Sequence, residues 1–212
     1  MKKKTLITYW NTYYGKSQKF KESSFAKFVF NKIKRNKSKK RLIDIGCGNG
    51  RDSIFFSKKK IYVTGIDISK KIIEKNSLFA NLNLKFIKFD VEKNKMNKKF
   101  DYIYCRFFLH AISENGENKL IELIKKIKTK GTIIFFEFRN HKDKIFGYKK
   151  NQKHNSIIEF EKGHYRRIIN TKKFLKKIKE KLDCKLIYNK SSKNLSVVKN
   201  DNPNLTRLIL KL

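Results

Sequence analysis

A chain of 212 residues suffices for one ordinary domain with a two-layer core and little more. Its 54 lysines and arginines against 18 acids give a formal net charge of +36, while 18 Phe and 9 Tyr supply core material that a disordered chain would lack. The longest apolar run, Ile133 to Phe136, falls far below the ~20 residues of a membrane-spanning helix, so no span is expected.

Met1-Lys2-Lys3-Lys4 is followed by Thr5, Thr8 and Asn11, not by the apolar stretch of a secretion signal. Cys47, Cys105 and Cys184 are odd in number and widely spaced, which argues against a disulfide framework and a zinc cluster; no metal site is expected. The composition fits a soluble cytoplasmic protein, monomer or dimer. Lysines supply most of the cations and run evenly from Lys2 to Lys211, as codon bias in an AT-rich genome would produce. A nucleic-acid partner is therefore unfavoured but not excluded. The few arginines are more informative because they persist against that bias.

In chain order, residues 1 to about 40 read as helical, with Ser23 or Ser24 capping a helix whose buried stripe is Phe25, Phe28, Val29 and Ile33. Strands follow at Arg41 to Ile45, Tyr62 to Ile66, Leu84 to Phe89, Tyr102 to Cys105 and Thr132 to Phe138, most of them apolar on both faces. Helical patterns alternate with them. Ile54 and Phe55 mark the first, Ser69 caps one carrying Ile72 and Ile73, and Leu120, Leu123, Ile124 and Ile127 line another before Gly131 breaks the chain. Residues 140 to 170 read as irregular and polar. Phe174, Leu175, Ile178 and Leu182 then form a helix, and Lys185 to Tyr188 and Leu205 to Leu212 close the chain as strands, with Pro203 in the preceding turn. The alternation predicts an α/β fold with a mainly parallel sheet.

The most informative segment is Leu42-Ile43-Asp44-Ile45-Gly46-Cys47-Gly48-Asn49-Gly50-Arg51, a strand running into alternating glycines and then a helix. Glycines suit a tight turn that lets a ligand approach the backbone. The second strand ends at Asp67, placed to accept both hydroxyls of a ribose through charge-assisted bonds worth ~1.5–3 kcal/mol each. Dinucleotide binders need Gly-x-Gly-x-x-Gly, and the last of those positions is Arg51 here; the extra glycine comes one place early, at Gly50.

This register resembles the glycine motif of class I S-adenosylmethionine-dependent methyltransferases, and the likeness extends over roughly residues 40 to 140. It implies a single-domain Rossmann-like methyltransferase fold: a mostly parallel seven-stranded sheet, helices on both faces and an antiparallel last strand. It also implies S-adenosyl-L-methionine as cofactor, at Asp44, Gly46, Cys47 and Gly48, with Asp67 and Ile68 by the ribose and Asp90 and Val91 by the adenine. Asp44 would orient the turn and reach the cofactor's amino group through water. Gly46 and Gly48 equally suit any strand-to-helix turn, and Asp90 a helix cap. Within 1–212 the resemblance implies an N-terminal cap or lid (1–40), a cofactor-binding core (41–139), and a substrate-side segment with closing strands (140–212).

The acceptor is read from what surrounds the cleft. The Asn- or Asp-Pro-Pro-aromatic motif of adenine-type enzymes is absent after the fourth strand, where Cys105-Arg106-Phe107-Phe108 stands, and a Pro-Cys nucleophile is absent too. Cys105 reads as a packed strand-end residue. Arg106 and His110 are the candidate catalytic residues, His110 either as a general base or as a packed histidine. Tyr14, Arg139, His164, Tyr165 and Arg166 are candidate substrate-binding residues, and planar guanidinium groups suit an anionic acceptor. The competing reading pairs some of Arg106, Arg139, Arg166 and Arg167 with Glu137, Glu159 or Glu161.

Tyr9-Trp10-Asn11-Thr12-Tyr13-Tyr14 reads as a lid or as a hydrophobic anchor. Arg51-Asp52 and His164-Tyr165-Arg166-Arg167 resemble the tellurite-resistance and thiopurine-type methyltransferases, which act on small molecules. The leading expectation is O-methylation of a small, anionic metabolite or surface-polysaccharide precursor. An RNA or protein methyltransferase recruited by the basic surface, and a non-catalytic cofactor-binding protein, are the alternatives.

Overall fold

In the computed structural model, which describes residues 8–12, 21–34, 40–146, 154–161, 164–197 and 201–212, strands and helices alternate in the expected order. Residues 8–12 form a short helical turn. Helix α1 (Ser24–Ile33) is capped by Ser23, whose hydroxyl accepts from the Ala26 N–H, and buries Phe25, Ala26, Val29 and Ile33. The alternating core follows as β1 (Arg41–Ile45), α2 (Arg51–Lys58), β2 (Tyr62–Asp67), α3 (Lys70–Ser77), β3 (Leu84–Lys88), β4 (Phe100–Arg106), α4 (Glu114–Ile127) and β5 (Lys128–Arg139). A hairpin, β6 (Ile157–Glu161) and β7 (His164–Arg167), precedes α5 (Thr171–Leu182), β8 (Lys185–Ser192) and β9 (Leu205–Lys211).

Seven strands form one sheet in the order β3-β2-β1-β4-β5-β9-β8. The pairs among β1 to β5 are parallel, and β9 runs antiparallel to both of its neighbours. The side-chain period of two decides the layers. Leu42, Tyr102, Tyr104 and Phe135 point to the face covered by α1, α2 and α3, while Ile43, Ile103, Phe136 and Phe138 point to the face covered by α4 and α5. Helices thus cover both faces, which is why the central strands read as continuous apolar runs. Strand order reverses between β1 and β4, and ligands of open α/β sheets bind in the crevice at the carboxyl ends beside such a point. No helix among the described residues is long and apolar enough to cross a membrane.

Three local expectations need correction. Gly131 does not end the chain's run before the fifth strand: β5 begins at Lys128 and absorbs Gly131 (φ 84°) where its register on β4 shifts. β8 continues to Ser192, because its polar second half keeps pairing with β9 from Asn189↔Leu208 to Ser192↔Leu205. Residues 140 to 170 contain the β6–β7 hairpin, whose second strand, His164–Arg167, offers no apolar alternation to a hydrophobicity reading.

Candidate active site

The carboxyl ends of β1, β2, β4 and β5 surround a cavity of about 450 Å³. Its floor is the glycine turn. Gly46, Gly48 and Gly50 take φ of 73°, 51° and 73°, the left-handed region that glycine enters without strain. The N–H groups of Gly46 and Cys47 both donate to the Ile66 carbonyl, at 2.9 and 3.0 Å, pinning the turn to the tip of β2. A Cβ on Gly46 would stand 2.4 Å from the Phe108 ring, so the tight approach of that ring also requires glycine.

At the tip of β2 the Asp67 carboxylate accepts the Gly48 N–H at 3.1 Å and the Ser69 N–H at 2.9 Å. Burial pushes the pKa of this carboxyl up, and the backbone donors oppose the rise. Asp67 and Ile68 line the cavity together with Asp44, Gly46 and Cys47. Gly48 does not line it; its N–H holds Asp67 and its carbonyl accepts from Asn76 at 2.7 Å. Asp44 is buried and accepts a 2.6 Å bond from the Ser53 hydroxyl. Desolvation lifts its pKa to about 7; the Ser53 bond opposes this, Asp52 and Asp67 add to it, and Arg106 lowers it.

After β3, Asp90 and Val91 reach the cavity beside Phe89, with Ile112 supplying a further apolar wall. Asp90 also closes its own turn: its carboxylate accepts the Glu92 N–H, and its carbonyl the N–H groups of Lys93 and Asn94. The helix-cap reading needs correction: residues 91–93 form a turn, not a helix, and Asp90 closes that turn while lining the cavity.

The other half of the cavity carries the arginines. Arg106 donates from Nε to Glu137 at 3.0 Å, its only hydrogen-bond partner among the described residues, and stacks 4.2 Å above the Phe107 ring. Phe107 sits at φ 55°, a left-handed conformation costing of order 1–3 kcal/mol, which throws its ring between Arg106 and His110. Glu137 is fully buried and also binds Arg207 at 2.6 Å and the Ser196 hydroxyl at 3.1 Å. Two guanidinium groups therefore share one carboxylate, and the buried Asp52 carboxylate also acts on Arg106.

Arg207 and Ser196 were not among the expected site residues. Arg207 pairs with Glu137 across β5 and β9, and its signal was an arginine retained in a lysine-rich chain.

His110 is buried on the cavity wall, and its Nδ1 accepts the Arg139 N–H at 3.2 Å. In the neutral ring Nε2 then carries the proton. A general-base role would require the ring to give up that bond.

Arg139 lines the cavity, but its guanidinium binds Asp143 at 2.9 Å and also Asp201. It clamps the end of β5 to the 201–204 segment, and both terminal nitrogens already hold carboxylates.

Arg166 and Arg167 part company on β7. Arg166 reaches the cavity and lies 5.5 Å from the Trp10 ring. Arg167 turns inward to bind Glu117 at 2.6 Å and the carbonyls of Leu109 and Ile112 at 3.1 and 3.0 Å. Tyr165 does not line the cavity. Tyr14 and the His164 side chain lie outside the described residues.

The N-terminal turn closes the view from above. Tyr9 and Trp10 line the cavity, and Asn11 accepts from the Ser69 hydroxyl beside the Asp67 tip. Cys105 is fully buried, with its thiol pKa pushed up by burial, as suits a packed residue.

Residues 36–193 match the model of the family described as a methyltransferase domain. The chain belongs to this family. Among solved structures, the chain superimposes with a TM-score of 0.69 on a S-adenosylmethionine-dependent methyltransferase from Methanosarcina mazei, 15% identical and covering 87% of this chain and 96% of that one. It superimposes at 0.71 on the 1,6-didemethyltoxoflavin-N1-methyltransferase of Burkholderia thailandensis, 11% identical over 98% of this chain and 87% of that one; that structure carries bound 1,6-didemethyltoxoflavin and S-adenosylhomocysteine. Its fold is thus the Rossmann-like fold of the S-adenosylmethionine-dependent methyltransferases.

Among curated proteins it is 27% identical over 127 residues to the ubiquinone biosynthesis O-methyltransferase of Rickettsia typhi, covering 57% of this chain. It spans about half the length of that relative (51%).

S-adenosyl-L-methionine is the family's cofactor, and the cleft fits it. A carboxylate stands between two backbone donors where a ribose would lie, and Phe89, Val91 and Ile112 offer an apolar wall to an adenine.

Proposed function

We propose that this chain transfers a methyl group from S-adenosyl-L-methionine to an oxygen of a small acceptor that carries an anionic group. When bound, the cofactor supplies a methyl carbon made electrophilic by its sulfonium. The chain's own residues hold the reactants. Asp67 accepts the ribose hydroxyls, and Asp90 with Val91 receives the adenine. Arg106 takes the anionic group of the acceptor, with Arg166 facing it from β7. The acceptor oxygen forms the new C–O bond as the C–S bond breaks, and catalysis is alignment of that oxygen with the methyl carbon. An oxygen that is already ionised needs no base, so His110, whose Nδ1 holds the Arg139 N–H, serves as a positioning residue on the cavity wall.

One observation carries the reading: the Arg106 guanidinium stands on the cavity wall with a single hydrogen-bond partner among the described residues, the Glu137 carboxylate that it shares with Arg207. The likeness of Arg51-Asp52 and residues 164–167 to the tellurite-resistance and thiopurine-type enzymes supports a small acceptor. The names of the Rickettsia relatives favour oxygen. In this scheme residues 1–40 form the cap, 41–139 the cofactor core and 140–212 the acceptor side. Three free cysteines suit a cytoplasmic setting.

The test uses methyl-labelled cofactor and an extract of cells lacking the gene. Label should enter a small-molecule fraction retained by an anion exchanger, and Arg106→Gln should abolish it while leaving cofactor affinity within about twofold. Label in RNA or protein, or labelling unchanged by Arg106→Gln, contradicts the proposal.

A further inference from the structure

Leu78, Phe79 and Leu82 are large apolar residues left 84%, 50% and 99% exposed on the turn between α3 and β3. Their exposure is built in. Asn81 and Leu84 exchange backbone hydrogen bonds of 3.0 Å each way, and the Asn81 side chain accepts the Asn83 N–H at 2.9 Å, so Leu82 is held at the apex of a closed turn.

The turn lies at the amino ends of the strands, opposite the cleft. It is joined to the α2–β2 turn by the Ser57 hydroxyl on Asn81 at 3.4 Å and by the Val63 N–H on the Asn83 carbonyl at 2.7 Å. That second turn is Lys58-Lys59-Lys60, all three exposed, with Lys59 lying over the Phe30 and Phe55 rings. Exposed Lys75 and Lys85 flank the apolar tip, and Lys85 stands close enough to Lys98 to help hold that ammonium's pKa below its usual value, after burial. Residues 53–66 and 75–89 contain no Asp or Glu, and exposed Glu74, one helical turn before Leu78, is paired with Lys70 at 3.5 Å.

We infer that this face docks on an anionic membrane surface, the three apolar side chains entering the headgroup–acyl boundary and the lysines meeting the lipid charges. A patch of this kind marks an interaction site, and an apolar tip ringed by cations matches the two chemistries that an anionic bilayer offers together. A nucleic-acid backbone would engage the lysines but gives two aliphatic leucines nothing to enter. A second copy of the chain would bring lysine ring against lysine ring. Docked this way, the cleft at the opposite ends of the strands stays open to solution for cofactor and acceptor. The inference does not depend on the acceptor proposed above.

Co-sedimentation of the full chain with vesicles tests it. On vesicles of phosphatidylcholine with one quarter phosphatidylglycerol, partitioning should be at least about tenfold stronger than on phosphatidylcholine alone, and should fall with added salt. The combined Leu78→Ser, Phe79→Ser and Leu82→Ser variant should lose about tenfold on the anionic vesicles, and Lys58→Glu with Lys60→Glu a similar amount. Melting temperature and calorimetric affinity for S-adenosylmethionine should stay unchanged in both. Failure of the wild-type chain to prefer anionic vesicles overturns the inference, as does a triple-serine variant that partitions like wild type. It is equally overturned if those serines abolish self-association or binding to a single-stranded RNA while vesicle binding persists.

Discussion

In the half of the cleft proposed to receive the cofactor, the key carboxylate is held by partners near in the chain. Asp67 is fixed by backbone donors 19 and 2 residues away. In the acceptor half the partners come from far: Arg106 meets Glu137 across 31 residues, Glu137 meets Arg207 across 70, and Arg167 meets Glu117 across 50. The first half follows from a strand, a glycine turn and a helix cap. The second exists only once β5, β7 and β9 have docked, so its arginines divide between holding the fold together and facing the cavity.

Arg167→Ala should break this division most visibly. It leaves Glu117 buried with Lys177 as its remaining cation, 2.7 Å away, and should cost about 3 kcal/mol in denaturant unfolding. A cost below about 1 kcal/mol would refute the view that Arg167 staples the hairpin to α4.

Its neighbour should behave oppositely. Arg166→Ala should raise the acceptor's KM about tenfold, the scale of one charge-assisted bond, with cofactor affinity and stability little changed. Equal loss of both affinities would move Arg166 to the structural side.

The cofactor half has its own signature in pH. Asp44 has a pKa raised from 3.8 to about 7 in the folded chain, so the folded state holds a proton that the unfolded state has released. Its ionisation therefore opposes folding. Stability of the wild type relative to Asp44→Asn should rise as pH falls from 8 towards 4, by up to about 1.4 kcal/mol per pH unit between the two pKa values. A difference that is flat or falls over that range contradicts the assignment. The smallest effect belongs to Tyr165, which does not line the cavity; Tyr165→Phe should leave kcat/KM within about twofold.

What was legible in the sequence follows the same line. The five parallel strands were readable from apolar runs because both faces of the sheet are covered, and the glycine turn with Asp67 from local spacing. The β6–β7 hairpin was not, since His164-Tyr165-Arg166-Arg167 has no apolar period and is held by Arg167 instead. The sequence also offers no means of telling Arg166 from Arg167, because adjacent residues on a strand face opposite ways and only tertiary partners decide which way matters. Arg139 looked equally suited to an acceptor until Asp143 and Asp201 were found on its guanidinium. The left-handed Phe107 carried no sequence signal, being a bulky residue where glycine or asparagine is usual.

The adenosyl site between the glycine turn and the tip of β2 is tested most directly by calorimetric titration of S-adenosylmethionine into wild type and Asp67→Ala. Wild type should bind, and the variant should bind at least tenfold more weakly, since each lost bond to the carboxylate is worth ~1.5–3 kcal/mol. No binding to the wild-type chain, or equal affinity in the variant, would contradict it.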